Sequence, residues 1–417
     1  MTHRTFSLKQ YSLDTFSSLQ VHNYRLYYTG QVISTSGTFM QSIAQAWLVL
    51  KLTDSGTALG VVTALQYLPV LFLGPYGGLI ADRFSKRTIL YLTQSISGLL
   101  ALILGALVAT QWVTLWSVYL LAFCLGLVSA VDNPVRQSFV VEIVGETKLK
   151  NAVTLYSSLV NLARVIGPAI AAGVIAAFGL APCFIINGIS YGAVVIMLYR
   201  MDPGELKVTP PLARSKGQIR QGFQYVLATP VLWNALLMLA IIGTLTFEFQ
   251  VSLPLIARFT FNGNASSYAL LSSAMGIGAV AGGLLIAGQK TVSPGRLVGA
   301  ALLFGLTVLA AAFMPSLALA VVALVLVGVA SITFTSLGNS LLQLESSPQM
   351  RGRVMSFWTI AFLGSSTIGG PIVGWFGDFF GPRWGLAAGG LAALTAAALG
   401  WLTIARSQRR SSPVHNY

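Results

Sequence analysis

The chain has 417 residues, of which 9% are charged and 55% are hydrophobic, and its mean hydropathy is +0.75. Soluble domains carry about 25% charged residues and have no interior large enough for this much apolar surface, so the composition excludes a soluble enzyme and a disordered chain. The 25 basic and 11 acidic residues give a formal net charge of +14, which in a soluble protein would suggest nucleic-acid binding. The positions of the charges therefore decide what they mean.

Apolar stretches long enough to cross a bilayer recur along the whole chain. A hydrocarbon core about 30 Å thick requires roughly 20 apolar residues per helix. The predicted spans 1 to 12 are 24–50, 58–80, 88–109, 113–133, 152–178, 180–199, 232–256, 266–288, 294–314, 316–342, 354–377 and 384–405. The sequence thus predicts an all-α membrane protein with 12 transmembrane helices.

Lys and Arg gather in the cytoplasmic loops of membrane proteins, and here they divide unevenly between the two sets of loops. With both termini in the cytoplasm, 21 of the 25 basic residues fall in cytoplasmic segments. Lys51, Arg258 and Arg383 are external, and Arg164 lies within a span. We therefore expect a multi-pass protein of the bacterial inner membrane with cytoplasmic termini, whose basic residues face membrane lipids rather than nucleic acid.

One long polar connection divides the spans into two sets of six. The predicted domains are a cytoplasmic N-terminal segment 1–23, a six-helix bundle 24–200, a cytoplasmic linker 201–228, a second six-helix bundle 229–405 and a cytoplasmic tail 406–417. An internal repeat supports the division, since Arg164-Val165-Ile166-Gly167-Pro168 in span 5 is echoed by Thr367-Ile368-Gly369-Gly370-Pro371 in span 11. Duplicated, pseudo-symmetric halves are typical of transporters that bind substrate between the halves, near the midplane.

The loop between spans 2 and 3 reads Gly77-Gly78-Leu79-Ile80-Ala81-Asp82-Arg83-Phe84-Ser85-Lys86-Arg87. It resembles the G-x-x-x-D-R-x-x-R/K-R loop of the major facilitator superfamily, and the chain fits that family's plan of two six-helix bundles. The resemblance implies a gating motif of Gly78, Asp82, Arg83, Lys86 and Arg87. In it, Asp82 would latch the two halves on the cytoplasmic side by reaching the start of span 11 near Val354 and Met355. Orientation by positive charge explains the basic residues of the motif equally well, but explains Asp82 poorly.

Three further segments sharpen the resemblance. Span 5, from Asn161 to Gly173, looks like the Gly-Pro motif of the superfamily's exporters, which gives Gly167, Pro168 and Gly173 a gating or packing role; such segments also occur as packing devices alone. The stretches Asp132 to Phe139 and Asn23 to Gln31 are similar to the branch of enterobactin-type siderophore exporters and macrolide efflux proteins. That similarity adds Asp132 and Arg136 to the gating or packing residues.

The sequence also departs from the proton-coupled drug exporters of the superfamily. Ala122 stands in span 4 where many of them have an Arg four residues before a Gly, and span 1 lacks the acidic residue that several of them carry. A coupling mechanism therefore has to be sought in other residues.

Two ionisable residues lie deep in predicted spans, where a charge is costly enough to indicate function. Arg164 is in span 5 and Glu248 is in span 7. If protons drive transport, Glu248 is the candidate carrier, and Arg164 either pairs with it or attracts an anionic substrate. The alternatives are structural: Glu248 as a hydrogen-bonding residue near the outer end of its helix, and Arg164 as the partner of a neighbouring side chain.

The resemblance implies that spans 1, 4, 7 and 10 line the central cavity, and polar side chains repeat at helical spacing in spans 1, 7 and 10. The predicted cavity residues are Thr38, Gln41, Gln45, Asn161, Arg164, Thr244, Glu248, Asn339 and Gln343. Hydrogen bonding between helices is the competing explanation for each of them.

A catalytic function is disfavoured because the sequence has no phosphate-binding Gly-rich loop, no His pair and no metal-ligand cluster, and we expect no cofactor or metal. The sequence predicts a monomeric secondary transporter that exports an amphipathic small molecule, a siderophore or a drug-like compound, by alternating access and proton antiport. An importer or a lipid or lysophospholipid transporter of the same fold is the alternative.

Overall fold

The computed structural model describes residues 16–207, 218–287 and 291–411, and all regular structure in these ranges is helical. Spans 1 to 6 are the helices His22–Thr53, Gly56–Arg83, Lys86–Ala109, Leu115–Phe178 (spans 4 and 5) and Ala181–Arg200. Spans 7 to 10 are Pro230–Leu245 with Phe249–Leu255 (span 7), Ala265–Ala287, Pro294–Ala312 and Leu317–Glu345. Span 11 comprises Arg351–Thr359 and Ser366–Phe380, span 12 is Pro382–Ser411, and Gln218–Ala228 is a short helix before span 7.

Ten helices in the described ranges are long and apolar enough to cross a membrane. Leu115–Phe178 counts as one of them, but its 64 residues are enough for two crossings. His22–Thr53 is 32 residues long and is the twelfth crossing, with polar side chains that lower its hydropathy. The predicted all-α membrane fold is thereby confirmed.

Spans 4 and 5 reverse direction without a conventional loop. The backbone is helical on both sides of Gly145, which alone has non-helical dihedral angles, with φ at 72° and ψ at 172°. Only glycine adopts such a positive φ without strain. Two crossings are thus joined by a single-residue break rather than by a flexible connection.

Sequence signals fix several of the helix ends. The hydroxyls of Ser55, Ser85 and Ser316 each accept a hydrogen bond from the backbone N–H three residues on, and so satisfy donors that the first turn leaves free. Gly179 and Gly381 follow spans 5 and 11 with φ angles of 82° and 101°. Because spans 5 and 11 occupy equivalent places in the internal repeat, these two glycines end equivalent helices.

The helices pack into two bundles, the N-half of spans 1 to 6 and the C-half of spans 7 to 12. Equivalent helix pairs approach through glycine in both halves. A Cβ built on Gly126 of span 4 would lie 2.5 Å from the Gln66 carbonyl oxygen of span 2, and one on Gly328 of span 10 would lie 2.0 Å from the Met275 carbonyl oxygen of span 8. We call the end of the bundle where span 1 begins and span 12 ends the terminal end, and the opposite one the far end.

Candidate functional site

A cavity of about 610 Å³ lies between the two halves. Its volume is in the usual range for a small-molecule site. Its walls come from spans 1, 2 and 5 of the N-half and spans 7, 8, 10 and 11 of the C-half. The wall is formed by Phe39, Ser42, Ile43, Tyr67, Asn161, Arg164, Pro168, Phe247, Phe249, Gln250, Leu253, Tyr268, Ser272, Met275, Ser331, Ile332, Thr335, Ser336, Asn339, Ser340, Trp358, Phe362 and Ser366.

Arg164 is the one charged residue on this wall in the part of the chain that the structure describes. Its guanidinium lies 5.9 Å from the ring centroid of Phe39, which is cation–π range. No hydrogen bond or ion pair within the described residues engages it, so the predicted pairing of Arg164 with Glu248 is absent there. Among the described residues, the structure thus leaves a cation that faces a membrane-embedded cavity beside an aromatic ring and has no carboxylate partner.

Glu248 lies where span 7 is interrupted. The helix Pro230–Leu245 ends, the chain passes through Thr246 and Phe247, and a second helix begins at Phe249 with Glu248 as its N-terminal flanking residue. The Thr246 hydroxyl donates to the Gly389 carbonyl of span 12 at 2.7 Å and holds the break in place. Broken membrane helices are tolerated where they are buried in protein or line a cavity, which is the situation here.

The Glu248 side chain is only 2% exposed, and its Oε1 atom has no hydrogen-bond partner. A Cβ on Gly369 of span 11 would lie 3.1 Å from that oxygen, and the Ser366 hydroxyl is within reach of the carboxyl. Phe247 and Phe249, the two neighbours of Glu248 in the chain, are both on the cavity wall. Glu248 therefore sits directly behind the cavity wall, next to Ser366, rather than on the wall itself.

Aromatic rings form much of the C-half wall. The ring centroids of Trp358 and Phe362 are 6.3 Å apart and their ring planes differ by 4°, so the two rings stack. The ring centroid of Phe247 lies 5.1 Å from that of Phe362. The backbone at Ile360–Gly364 is π-helical, a conformation that often marks functional sites. The cavity thus offers flat apolar surfaces opposite a cation.

The polar stripe of span 1, formed by Thr38, Gln41 and Gln45, faces the inside of the N-half instead of the cavity wall. Gln41 accepts a hydrogen bond from Asn187 Nδ2 at 2.7 Å, and the Thr38 hydroxyl lies 3.4 Å from that of Tyr191 in span 6. Gln41 and Gln45 border a small cleft within the bundle. A polar stripe avoids lipid equally well by facing neighbouring helices, so its spacing does not distinguish the two positions.

The other predicted cavity residues divide between the wall and its surroundings. Asn161 and Asn339 are on the wall. Gln343 is exposed and lies one turn nearer the terminal end than Asn339. Its amide donates to Asn339 Oδ1. The Thr244 hydroxyl donates to Ala240 O at 2.6 Å, and its carbonyl meets Gly369 of span 11.

The predicted gating and packing residues of span 5 have different surroundings. A Cβ on Gly167 would lie 2.4 Å from the Cβ of Phe39, so this glycine lets spans 1 and 5 touch. Pro168 is buried and lines the cavity. A Cβ on Gly173 would meet nothing within 4 Å, so the described structure gives Gly173 no packing contact.

Asp132 and Arg136 form a buried polar cluster within the N-half. The Asp132 carboxylate accepts hydrogen bonds from Thr93 Oγ1 at 2.6 Å, Gln94 Nε2 at 2.8 Å and Arg136 Nε at 3.0 Å. Arg136 Nη1 donates to Gln31 Oε1 at 2.8 Å. The cluster ties together spans 1, 3 and 4, so its contacts are within one half.

The basic residues of the predicted gating motif are anchored in the N-half. Lys86 forms an ion pair with Glu142, and Arg87 donates to the carbonyls of Leu198 and Tyr199 at the end of span 6. A cation there is favoured by the free carbonyls of the helix end. Arg83 is exposed. At Gly78 and Asp82 the structure describes the helical backbone alone, so the latch stays a prediction.

The polar contacts that join the two halves, in the described ranges, lie in the middle and at the far end. Asp378 at the end of span 11 accepts hydrogen bonds from the hydroxyls of Ser55 and Thr57 at 2.8 and 2.7 Å, and from the backbone N–H groups of Gly56 and Thr57. A carboxylate at a helix N-terminus is stabilised by the helix dipole. The far end of the molecule is therefore held closed by span 11 capping span 2.

Two further features close the far end. Arg258 of span 7 forms an ion pair with Asp54, which follows span 1. Spans 2 and 11 meet backbone to backbone, since a Cβ on Gly60 would lie 2.2 Å from the Gly370 carbonyl oxygen and one on Gly374 would lie 2.1 Å from that of Gly56.

Sequence reasoning missed Asp378, although a signal was present. Gly374-Trp375-Phe376-Gly377-Asp378 repeats the G-x-x-x-D spacing of Gly78 to Asp82. It also missed Tyr67 and the serines of the wall, which have no periodicity that separates them from helix-packing residues.

Comparison with solved structures identifies the fold. A bacterial homologue of the human lysosomal transporter Spinster, in an inward-facing and unoccupied conformation, matches with a TM-score of 0.73 and 16% identity over 94% of this chain and 98% of that one. The fold is that of the major facilitator transporters.

The sequence comparisons identify the family within that class. The chain belongs to the transmembrane secretion effector family, which it matches over residues 13–413. It is 26% identical to the uncharacterized MFS-type transporter YfiS of Bacillus subtilis (strain 168), over 83% of this chain and 86% of that protein. It is 26% identical to the enterobactin exporter EntS of Shigella flexneri, over 97% of this chain and 98% of that protein. A staphyloferrin A transporter of Staphylococcus aureus (strain NCTC 8325 / PS 47) is 29% identical to the chain over a shorter alignment, which covers 44% of this chain and 46% of that protein.

The chain is thus a multi-pass membrane transporter and not an enzyme. Proteins of this family carry small molecules and act as single chains.

Proposed function

We propose that this transporter exports an amphipathic small molecule of the siderophore or drug-like kind across the bacterial inner membrane, by alternating access driven by proton antiport. The cavity between two halves whose far ends are held together is the observation that carries the proposal. The uneven distribution of Lys and Arg supports a cytoplasmic position for the terminal end. In this conformation the closed far end then faces the periplasm.

The substrate class is supported by two relatives. Proteins named as an enterobactin exporter and a staphyloferrin A transporter share 26% and 29% identity with the chain over the aligned residues. A wall of hydroxyl, amide and aromatic side chains suits a bulky solute that has both hydrogen-bonding and apolar parts.

Glu248 is the proposed proton carrier. A buried carboxylate without a cation partner is strongly destabilised, whereas a neutral carboxyl is tolerated. Glu248 belongs to span 7 of the C-half and lies between Phe247 and Phe249, which line a cavity shared with the N-half, so movement of the halves changes its surroundings. Uptake of a proton on one side of the membrane and its release on the other would then accompany each cycle.

The experiment begins in cells, by comparing which compounds are retained and which are released with and without the transporter. A compound found in this way is then assayed in proteoliposomes for transport driven by a pH gradient and for counterflow without one. Glu248→Gln removes the proton site but keeps the shape of the side chain. We expect it to lose gradient-driven transport and to keep counterflow.

Glu345→Gln is the matched control, because Glu345 is exposed at the terminal end of span 10, away from the cavity. Gradient-driven transport by Glu248→Gln at the wild-type rate would contradict the proton role. A compound that accumulates inside cells only when the protein is present would identify an importer, and release of a lysophospholipid would favour the lipid alternative.

A further inference from the structure

The charge of the cavity wall is unbalanced. Among the described residues of the wall, Arg164 supplies the one charge and no carboxylate faces it. Three other cations have a carboxylate partner: Lys86 pairs with Glu142, Arg136 with Asp132 and Arg258 with Asp54. A cation in a membrane span without a partner is costly, so a ligand that supplies the missing negative charge gains most from binding there.

The position of Arg164 is fixed by the packing of its backbone. One turn on, Gly167 lets span 5 touch span 1, and a Cβ on Gly276 of span 8 would lie 3.0 Å from the Arg164 carbonyl oxygen. Span 8 also holds span 5 through a hydrogen bond from Ser273 Oγ to the Val165 carbonyl at 3.2 Å. The guanidinium is thus presented to the cavity from a backbone clamped between the two halves.

The surroundings of Arg164 favour an anion that carries a ring. Phe39 lies against the guanidinium, and the stacked pair of Trp358 and Phe362 supplies a flat surface on the same cavity. Asn161, one turn before Arg164, adds an amide that hydrogen-bonds either a carboxylate or its neighbouring groups. Aromatic contacts add binding energy to apolar burial, whereas the guanidinium discriminates by charge.

We propose that Arg164 selects substrates that carry an anionic group, a carboxylate in the simplest case, attached to an aromatic body. This inference rests on the proposed transport function and narrows its substrate class. It distinguishes an acidic aromatic solute from neutral or cationic amphipathic compounds of the same size.

The first test uses the purified full-length protein and a matched pair of fluorescent probes, dansyl-phenylalanine, which is a carboxylate, and dansyl-phenylalaninamide, which is neutral. One charge-assisted interaction corresponds to about a tenfold difference in affinity or more, so we expect the carboxylate to bind at least tenfold more tightly. Arg164→Gln should abolish that preference, so that the two probes bind alike, and Arg164→Lys should retain part of it.

Lys51→Gln is the control, since it removes one positive charge from an exposed residue at the far end and should preserve the preference. Equal binding of the two probes by the wild type, no binding of either, or a preference that persists in Arg164→Gln would overturn the proposal. Unfolding of the Arg164→Gln protein would be recognised by loss of amide binding, and Arg164→Lys then decides.

The second test applies the same variants to the comparison of retained and released compounds. If no compound changes its distribution with the wild-type protein, the proposed transport function fails. If compounds are released but have no acidic group, or are released equally by Arg164→Gln, only the anion selectivity fails. Release of acidic aromatic compounds that depends on Arg164 would support both.

Discussion

Removal of the Asp378 charge should open the far end of the transporter. Asp378 accepts four hydrogen bonds from Ser55, Gly56 and Thr57 across the boundary between the halves. Asp378→Asn keeps one acceptor oxygen and the size of the side chain, but loses the negative charge and the second acceptor. The change therefore acts on this contact and spares the cavity.

The size of the effect follows from the contacts. Hydrogen bonds to a charged group contribute about 1.5 to 3 kcal/mol when shielded, and a carboxylate at an exposed helix N-terminus contributes about 0.3 to 1 kcal/mol. Because the Asp378 side chain is exposed, we expect a loss of about 1 to 2 kcal/mol in far-end closure, a factor of about 5 to 30 in the ratio of closed to open. An open state populated at about 1% would rise to about 5 to 25%.

Spin labels at the far end measure this ratio directly. Trp112 and Pro315 are exposed in the loops before spans 4 and 10, one in each half, and both are suitable positions for introduced cysteines. Cys124 is replaced by Ser, while Cys183 is fully buried and stays. Pulsed electron–electron double resonance should show a longer-distance component whose fraction is larger in Asp378→Asn than in the wild type.

Glu345→Gln makes the same loss of charge at the opposite end and should leave the distances unchanged. Thr57→Val, which removes one of the hydroxyl donors, should shift them in the same direction as Asp378→Asn by a smaller amount. If Asp378→Asn gives the wild-type distance distribution, the hydrogen bonds of Asp378 do not hold the far end closed and the reasoning is refuted.

Two further predictions concern stability, measured as thermal unfolding of the purified protein. Gly167→Ala forces a methyl group to within 2.4 Å of the Phe39 Cβ and should lower the free energy of unfolding by about 1 to 3 kcal/mol. Gly173→Ala places its methyl group in open space and should change that free energy by less than about 0.5 kcal/mol. Equal effects of the two substitutions would contradict the packing argument. Glu142→Gln leaves the mostly buried Lys86 without its partner and should lower the free energy of unfolding by about 1 to 3 kcal/mol. Adding Lys86→Met should recover part of that loss in the double variant. Purely additive losses would exclude the ion pair as the cause.

Sequence predicted the architecture because lipid imposes a coarse rule. Every crossing must be long, helical and apolar, and the chain obeys this rule so regularly that the helices follow from hydropathy and charge alone. Arg164 was identified as a candidate for the same reason, since a charge at membrane depth is rare, and the structure places it on the cavity wall.

The finer features depend on tertiary contacts that leave weak traces in the sequence. Gln41 and Gln45 have the spacing of cavity residues but face spans within their own half. The interruption of span 7 at Glu248 has no Gly or Pro in Thr246-Phe247-Glu248 to mark it, because the break is held by a hydrogen bond to span 12. Asp378 was recognisable only by its similarity to a motif at the other end of the molecule.

The backbone contact between spans 2 and 11 has a consequence for how such a protein is tuned. Where Gly56 and Gly60 meet Gly370 and Gly374, these four residues contribute backbone only, so their own separation requires no change of rotamer. Polar groups at the rim, such as Asp378 and Asp54, then contribute to the balance between the closed and open states. Under the proposed mechanism, mutations at Asp378 or Asp54 would shift this balance without altering any residue of the cavity wall.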